Sequence, residues 1–248
     1  MPTRIPVRVT TMYELKPTTF YTTMRRLVTL VAVAAIPPVC FAQTAGCGTS
    51  PPADPGAWVD STLEKVQGVS VDGLDYRIWV PSGYDSSTPM PLVALFHGWG
   101  CRYSHPWLRA FGQYASQDAT PQMIVLSLNG IADNKWRSWN GFGSTASPGP
   151  DGEICSVNNP SYLYDSCDAT AAAQQENQCW WTTCRDSINE TLAILARVEA
   201  LMCVNTSAIF GMGCSNGAMF QYELADNPLT SAKFAAHVPV LGAPHNGV

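Results

Sequence analysis

The sequence predicts an α/β domain built on a mostly parallel sheet, and three stretches carry that prediction. Residues 92–96 are a short, wholly apolar run of the kind that forms a strand buried on both faces, and residues 123–128 are a second buried-strand candidate. Between them lies a helix-compatible segment, residues 107–119, and strand, helix and strand with short connections imply a parallel, right-handed crossover. The third stretch, IFGMGCSNGAMF from Ile209 to Phe220, contains a GxSxG match at Gly213, Ser215 and Gly217. A strand-like run, residues 207–212, leads into it and a helix-compatible run, residues 216–226, leads out. That context is the signature of a nucleophile elbow, in which a sharp turn lifts Ser215 above the C-terminal edge of the sheet. Without it, the same residues are a Ser/Gly turn between ordinary elements.

With 248 residues and 46% hydrophobic content, the chain is long enough for one domain with a real core, and no second domain is required. Charged residues make up 13%, about half the usual share, and the net charge is −5. No basic stripe is present, which argues against nucleic acid as a partner.

Taken in order, residues 1–42 read as an upstream extension followed by a signal peptide at about 24–42. MRRLVTLVAVAAIPPVCFA has a basic start, a short apolar run and small residues before Gln43, too short to span a bilayer comfortably. Cleavage near Ala42 gives a secreted, extracellular protein with no stable membrane span; left uncleaved, the segment is an anchor. Beyond Cys40 the chain has eight further cysteines, Cys47, Cys101, Cys155, Cys167, Cys179, Cys184, Cys203 and Cys214, which in an exported protein read as disulfides of undetermined connectivity. No paired CxxC set occurs and histidine is scarce, so no metal site is expected.

Residues 43–64, rich in Pro, Gly, Ser and Thr over their first part, are expected to be a flexible lead-in to a partial domain at 65–248. Residues 65–71 and 74–80 flank Asp72-Gly73, a two-residue hairpin signal, giving an antiparallel start. After a turn-rich connection, the strand at 92–96 ends in His97-Gly98-Trp99-Gly100. Residues 131–184 lack periodicity and read as a Cys/Trp-rich insertion over the active face, carrying Trp136, Trp139, Trp180 and Trp181. These tryptophans either stack on sugar or phenolic rings or anchor the loop from inside. Residues 186–202 show helical spacing, with Asp186 suited to the positive end of the helix dipole. Residues 234–241 read as a final strand, leading to Gly242-Ala243-Pro244-His245.

A serine hydroxyl needs a base to take its proton and donors aimed at the oxyanion. The expected donors are the backbone N–H of Asn216, which follows the nucleophile, and that of Trp99, at the same edge of a parallel sheet. The other reading of His97-Gly98 is a turn that merely ends a strand.

FHGWG after one strand, GMGCSNGAMF after a later one, the Trp-rich region between them and VPVLGAPHNG resemble the secreted α/β-hydrolases grouped with feruloyl esterases, acetylxylan esterases and polyhydroxybutyrate depolymerases. The likeness covers residues 66–247 and is strongest at SNGAM, in place of that family's usual SNGGM or SAGGA. It implies an α/β-hydrolase fold, mostly parallel with an antiparallel N-terminal hairpin, and ester hydrolysis through an acyl-enzyme at Ser215 with no cofactor. The implied partner is an ester substrate, polysaccharide-linked or a polyester. In such enzymes the triad acid and histidine follow later strands than this chain contains, so the expectation is a C-terminally truncated domain, lacking the last strands and with them the triad Asp and His. Locally, Asp226 falls at the far end of the elbow helix, His237 opens the last strand at the wrong end of the sheet, and His105 is a surface residue. His245, just past the last strand's C-terminal end, is a candidate pocket wall or base. In tannase-like members, a cysteine before the nucleophile bonds to one after the catalytic histidine, and Cys214 resembles the first half of that pair; otherwise it is a small buried side chain. Asn189 and Asn205 head glycosylation sequons. A non-catalytic polymer- or partner-binding relative, or a disulfide-rich binding module with a fortuitous GxSxG, remains the rival to an esterase.

Overall fold

The computed structural model of the chain describes residues 44–66, 69–106, 108, 122–133, 136–140 and 185–243. Six strands form one sheet: β1 (Ala57–Val66), β2 (Val69–Val80), β3 (Met90–Phe96), β4 (Ile124–Leu128), β7 (Val204–Cys214) and β8 (Ala236–Val240). A small ribbon, β5 (Ala132–Asp133) with β6 (Trp136–Arg137), stands apart. The order across the sheet is β1-β2-β4-β3-β7-β8. β1 with β2 and β2 with β4 are antiparallel, whereas β4, β3, β7 and β8 run parallel to one another. This is the expected arrangement, a mostly parallel mixed sheet opened by an antiparallel hairpin.

β3 is central because its sequence has no polar face. Leu92, Ala94 and Phe96 pack with Ile124, Leu126, Leu128 and Ile209 on one side, and Val93 and Leu95 pack with Val125, Leu108 and Met212 on the other. Alternate residues of a strand point to opposite faces, so a run that is apolar at every position can be satisfied only inside a two-sided sheet. Each large aliphatic side chain buried this way contributes on the order of 2 kcal/mol. The first face is covered by α1 (Ser187–Leu201), through Ile194, Leu195 and Val198, and by α2 (Asn216–Asp226), through Phe220 and Leu224. Asp186 caps α1, its Oδ1 accepting from the Asn189 N–H at 3.1 Å.

The hairpin differs from expectation. The reversal lies between β1 and β2, and Asp72-Gly73 falls inside β2, where the register shifts between Leu63 and Lys65 of β1. Gly73 has φ +57, so its freedom serves an irregularity within the strand and not a two-residue turn. The flexible lead-in at 43–64 is also corrected: residues 57–64 belong to β1, and the preceding segment is pinned to the C-terminal end of α1. A helix end leaves carbonyls without partners inside the helix, and this segment supplies donors. Gly46 N–H donates to the Glu199 carbonyl (2.9 Å), the Thr44 hydroxyl to that of Met202 (2.7 Å) and the Thr49 hydroxyl to that of Leu201 (3.3 Å). The Cys47–Cys203 disulfide closes the same junction. The extension and signal at 1–42, the helix at 107–119 apart from Leu108, the insertion beyond residue 140 with four of its cysteines, and His245 lie outside the described residues.

Candidate active site

Phe96 of β3 and Gly213 of β7 are partners in the parallel register, so the chain leaves both strands at the same level of the sheet edge. Ser215 follows at φ 54, ψ −118, one of two non-glycine residues with positive φ among those described. Holding an L-residue there costs about 1–3 kcal/mol, which the surroundings must over-determine. They do so from both sides. The Ser215 N–H donates to the Val240 carbonyl at the end of β8 (2.9 Å), and the Ser215 carbonyl accepts from Ala218 (2.9 Å) and Met219 (3.0 Å) in the first turn of α2. The result is an exposed serine at the N-terminus of a helix, at the C-terminal edge of a parallel sheet.

The loop after β3 closes on this bend. A Cβ added to Gly98 would stand 3.4 Å from both the Ser215 Cβ and the Cys214 carbonyl oxygen, so the bare backbone of Gly98 faces the serine. Trp99 follows, half-buried, and Asn216 occupies the first position of α2. The structure therefore brings Ser215, Asn216 and the His97-Gly98-Trp99 loop to one edge.

Beneath the edge lies a network the sequence did not announce. The Asn216 Oδ1 accepts from the Ser138 hydroxyl (3.1 Å) and the Trp139 N–H (3.0 Å), and its Nδ2 donates to the Trp139 carbonyl (3.4 Å). Trp139 Nε1 donates to the His97 carbonyl (2.9 Å), while its ring stacks on Phe220 and meets Phe96 edge-on. Only 2% exposed, Trp139 anchors its loop from inside and offers no face to a sugar or phenol. His97 is fully buried; its Nε2 accepts from the Gly130 N–H (2.9 Å) and its Nδ1 lies 2.8 Å from the Gly98 carbonyl oxygen. Loops after β3, β4 and β7 are thus tied together by side chains far apart in sequence. In the sequence His97 stands out only as part of the loop that carries the Trp99 donor, and nothing there marks Gly130 or Ser138.

The other candidates sit elsewhere. Asp226 is exposed at the far end of α2. His237 pairs opposite Gly211 within β8 and contacts Gln221 Oε1 through Nδ1 (2.9 Å). His105 is half-buried in the loop after β3. Cys101 and Cys214 are thiols, which departs from the reading of all eight cysteines as disulfides; burial and the neighbouring Cys101 push Cys214 up to about 11. Among the described residues no cluster of three His, Cys, Asp or Glu is placed to hold a metal.

Burial lowers His97 to about 4, against the raising effect of its bond to Gly98, and burial lowers His237 to about 4 as well. Both are depressed in the folded state, so the unfolded chain binds more protons between pH 4 and 6.5. Stability is then full above about pH 6.5 and falls as pH drops through 4, with His97 alone accounting for roughly 3 kcal/mol at the acid end. Urea denaturation from pH 7 to 4 should show this loss, and in His97→Asn it should be smaller.

No protein-family model matches the chain, and no curated protein matches it. Among solved structures its neighbours include esterases and serine hydrolases. A thermostable esterase shares 17% identity, with 73% of this chain and 40% of that one covered and a TM-score of 0.46. The fluorophosphonate-binding serine hydrolase F of Staphylococcus aureus shares 15%, covering 76% and 58%, with a TM-score of 0.45. A ferulic acid esterase of the anaerobic fungus Anaeromyces mucronatus shares 14%, covering 80% and 63%, with a TM-score of 0.41. The chain thus spans less than two thirds of the length of each of these proteins. At these identities and scores the likeness supplies no functional conclusion, and the site's own geometry carries the reading.

Proposed function

We propose that this protein is a serine carboxylic ester hydrolase acting outside the cell on feruloyl or acetyl esters of plant cell-wall polysaccharide, or on a polyester. The observation that carries the reading is the backbone of Ser215, held at φ 54 on a strand-to-helix bend with Gly98 packed against it. A strained, exposed serine between two loops is poorly explained as scaffold and well explained as a nucleophile. In the proposed reaction the Ser215 Oγ attacks the acyl carbon and its proton passes to a base. The developing oxyanion lies between the N–H groups of Asn216 and Trp99. The C–O bond then breaks, the base returns the proton to the departing alcohol, and water hydrolyses the acyl-enzyme by the same route. None of the described residues is placed to act as that base or its orienting acid, and His245, beyond them, is proposed as a pocket wall. The bridge between Cys47 and Cys203 is compatible with the oxidising compartment that the leader at 24–42 implies.

A fluorophosphonate probe tests the nucleophile directly. Label is expected on the peptide containing Ser215, lost in Ser215→Ala, with turnover of an activated acyl ester lost in parallel. The rival reading, a non-catalytic relative that binds polymer, predicts no dependence of turnover or label on Ser215. Equal turnover by wild type and Ser215→Ala, with no label, would establish it.

A further inference from the structure

We propose that His97 is a positioning residue, whose Nδ1–H clamps the Gly98 carbonyl and thereby fixes the direction of the Trp99 N–H. The inference deepens the ester hydrolase reading and rests on it. Gly130 N–H can be accepted only by a ring nitrogen without a proton, so Nε2 is bare and the single proton of the neutral ring sits on Nδ1. That proton points at the Gly98 oxygen 2.8 Å away. In a trans peptide the carbonyl and the following N–H point in opposite directions, so holding the Gly98 C=O on the His97 side turns the Trp99 N–H away from it. The Cys101 N–H supplies a second hold on the same oxygen at 3.0 Å.

The clamp is in turn held from three directions. Gly130 fixes the ring, Trp139 Nε1 fixes the His97 carbonyl, and the Trp139 backbone is locked to Asn216 beside the nucleophile. One donor of the oxyanion pair, Asn216, and the loop of the other, Trp99, are therefore set by a single connected frame, buried where water does not compete for its bonds. A full burial of this kind also keeps His97 itself from serving as the base, since it has no face toward solvent or substrate.

Two amides separate this role from simple packing. Asn at 97 places its Nδ2 where Nδ1 stands and keeps the donor to Gly98, whereas Gln reaches the Nε2 position and keeps only the Gly130 contact. We expect His97→Asn to retain fluorophosphonate labelling of Ser215 within a few-fold of wild type and His97→Gln to slow it about 10- to 100-fold, part of what loss of a whole oxyanion donor costs. KM for an activated ester should stay near wild type in both, because the ground-state carbonyl makes little use of the hole. Thermal unfolding of each variant identifies any that fails to fold, and crystal structures read the 98–99 peptide directly. A peptide turned over in the Gln variant and kept in Asn supports the clamp. Equal labelling rates in all three proteins, or the same peptide orientation in all three, overturns it. If wild type itself is not labelled, the ester hydrolase reading fails, and the peptide orientation alone decides the clamp.

Discussion

Gly217→Ala is expected to abolish Ser215 labelling and to destabilise the fold by about 3 kcal/mol or more, although alanine is the better helix former. An exposed helical Gly→Ala change gains roughly 1 kcal/mol from propensity. At residue 217 the new Cβ would run into the Phe96 carbonyl oxygen and lie 2.6 Å from that of His97, far inside contact distance. Both oxygens are backbone, at the end of a strand fixed on each side by parallel neighbours, so neither can move aside cheaply. Relief must come from α2, and any shift of its first turn carries Ser215 away from Gly98. Gly217 does not have a positive φ, which makes this a requirement for space and not for conformation. Gly213→Ala should behave alike, its Cβ meeting the Gly217 carbonyl. Gly211→Ala meets mainly the side-chain ends of Gln221 and His237 and should cost less. Urea midpoints together with probe labelling check the series; a Gly217→Ala protein as stable as wild type and still labelled refutes the close-packed elbow.

Removing the Cys47–Cys203 bridge as the pair Cys47→Ser and Cys203→Ser is expected to cost up to about 5 kcal/mol, the chain-entropy value for so long a loop. The two cysteines are separated by 156 residues, so the bridge restricts most of the unfolded ensemble of this domain. It also anchors the segment that caps the end of α1, and its loss exposes those carbonyls to fraying. The same loss should follow from reduction of wild type. Denaturation with and without reductant measures it, and a difference under about 1 kcal/mol would show that the hydrogen bonds of Thr44 and Gly46 hold the junction unaided.

The core strands were readable because their information is local. Residues 92–96 are apolar at every position and became β3, residues 123–128 are apolar but for Ser127 and contain β4, and the run 216–226 coincides with α2. The elbow was readable for the same reason: strand, turn glycines and helix lie within twenty residues. Asp72-Gly73 misled because a glycine that permits positive φ serves an irregular strand as well as a turn. Residues 44–56 misled because a composition typical of linkers says nothing about a helix end 150 residues away that lacks partners.

By itself, then, the sequence determined the class of fold, the bend at Ser215 and the pairing of its loop with the one after β3, since each follows from side-chain period or backbone freedom over a few residues. Only the tertiary structure decided that Cys47 meets Cys203, that Trp139 is buried under the site, and that His97 is bound by Gly130 and faces Gly98. Those contacts join positions 33 to 156 residues apart or depend on them, and chain separation of that size leaves no periodic trace in composition. They exist because close packing around β3 leaves one place for each buried donor and acceptor to be satisfied.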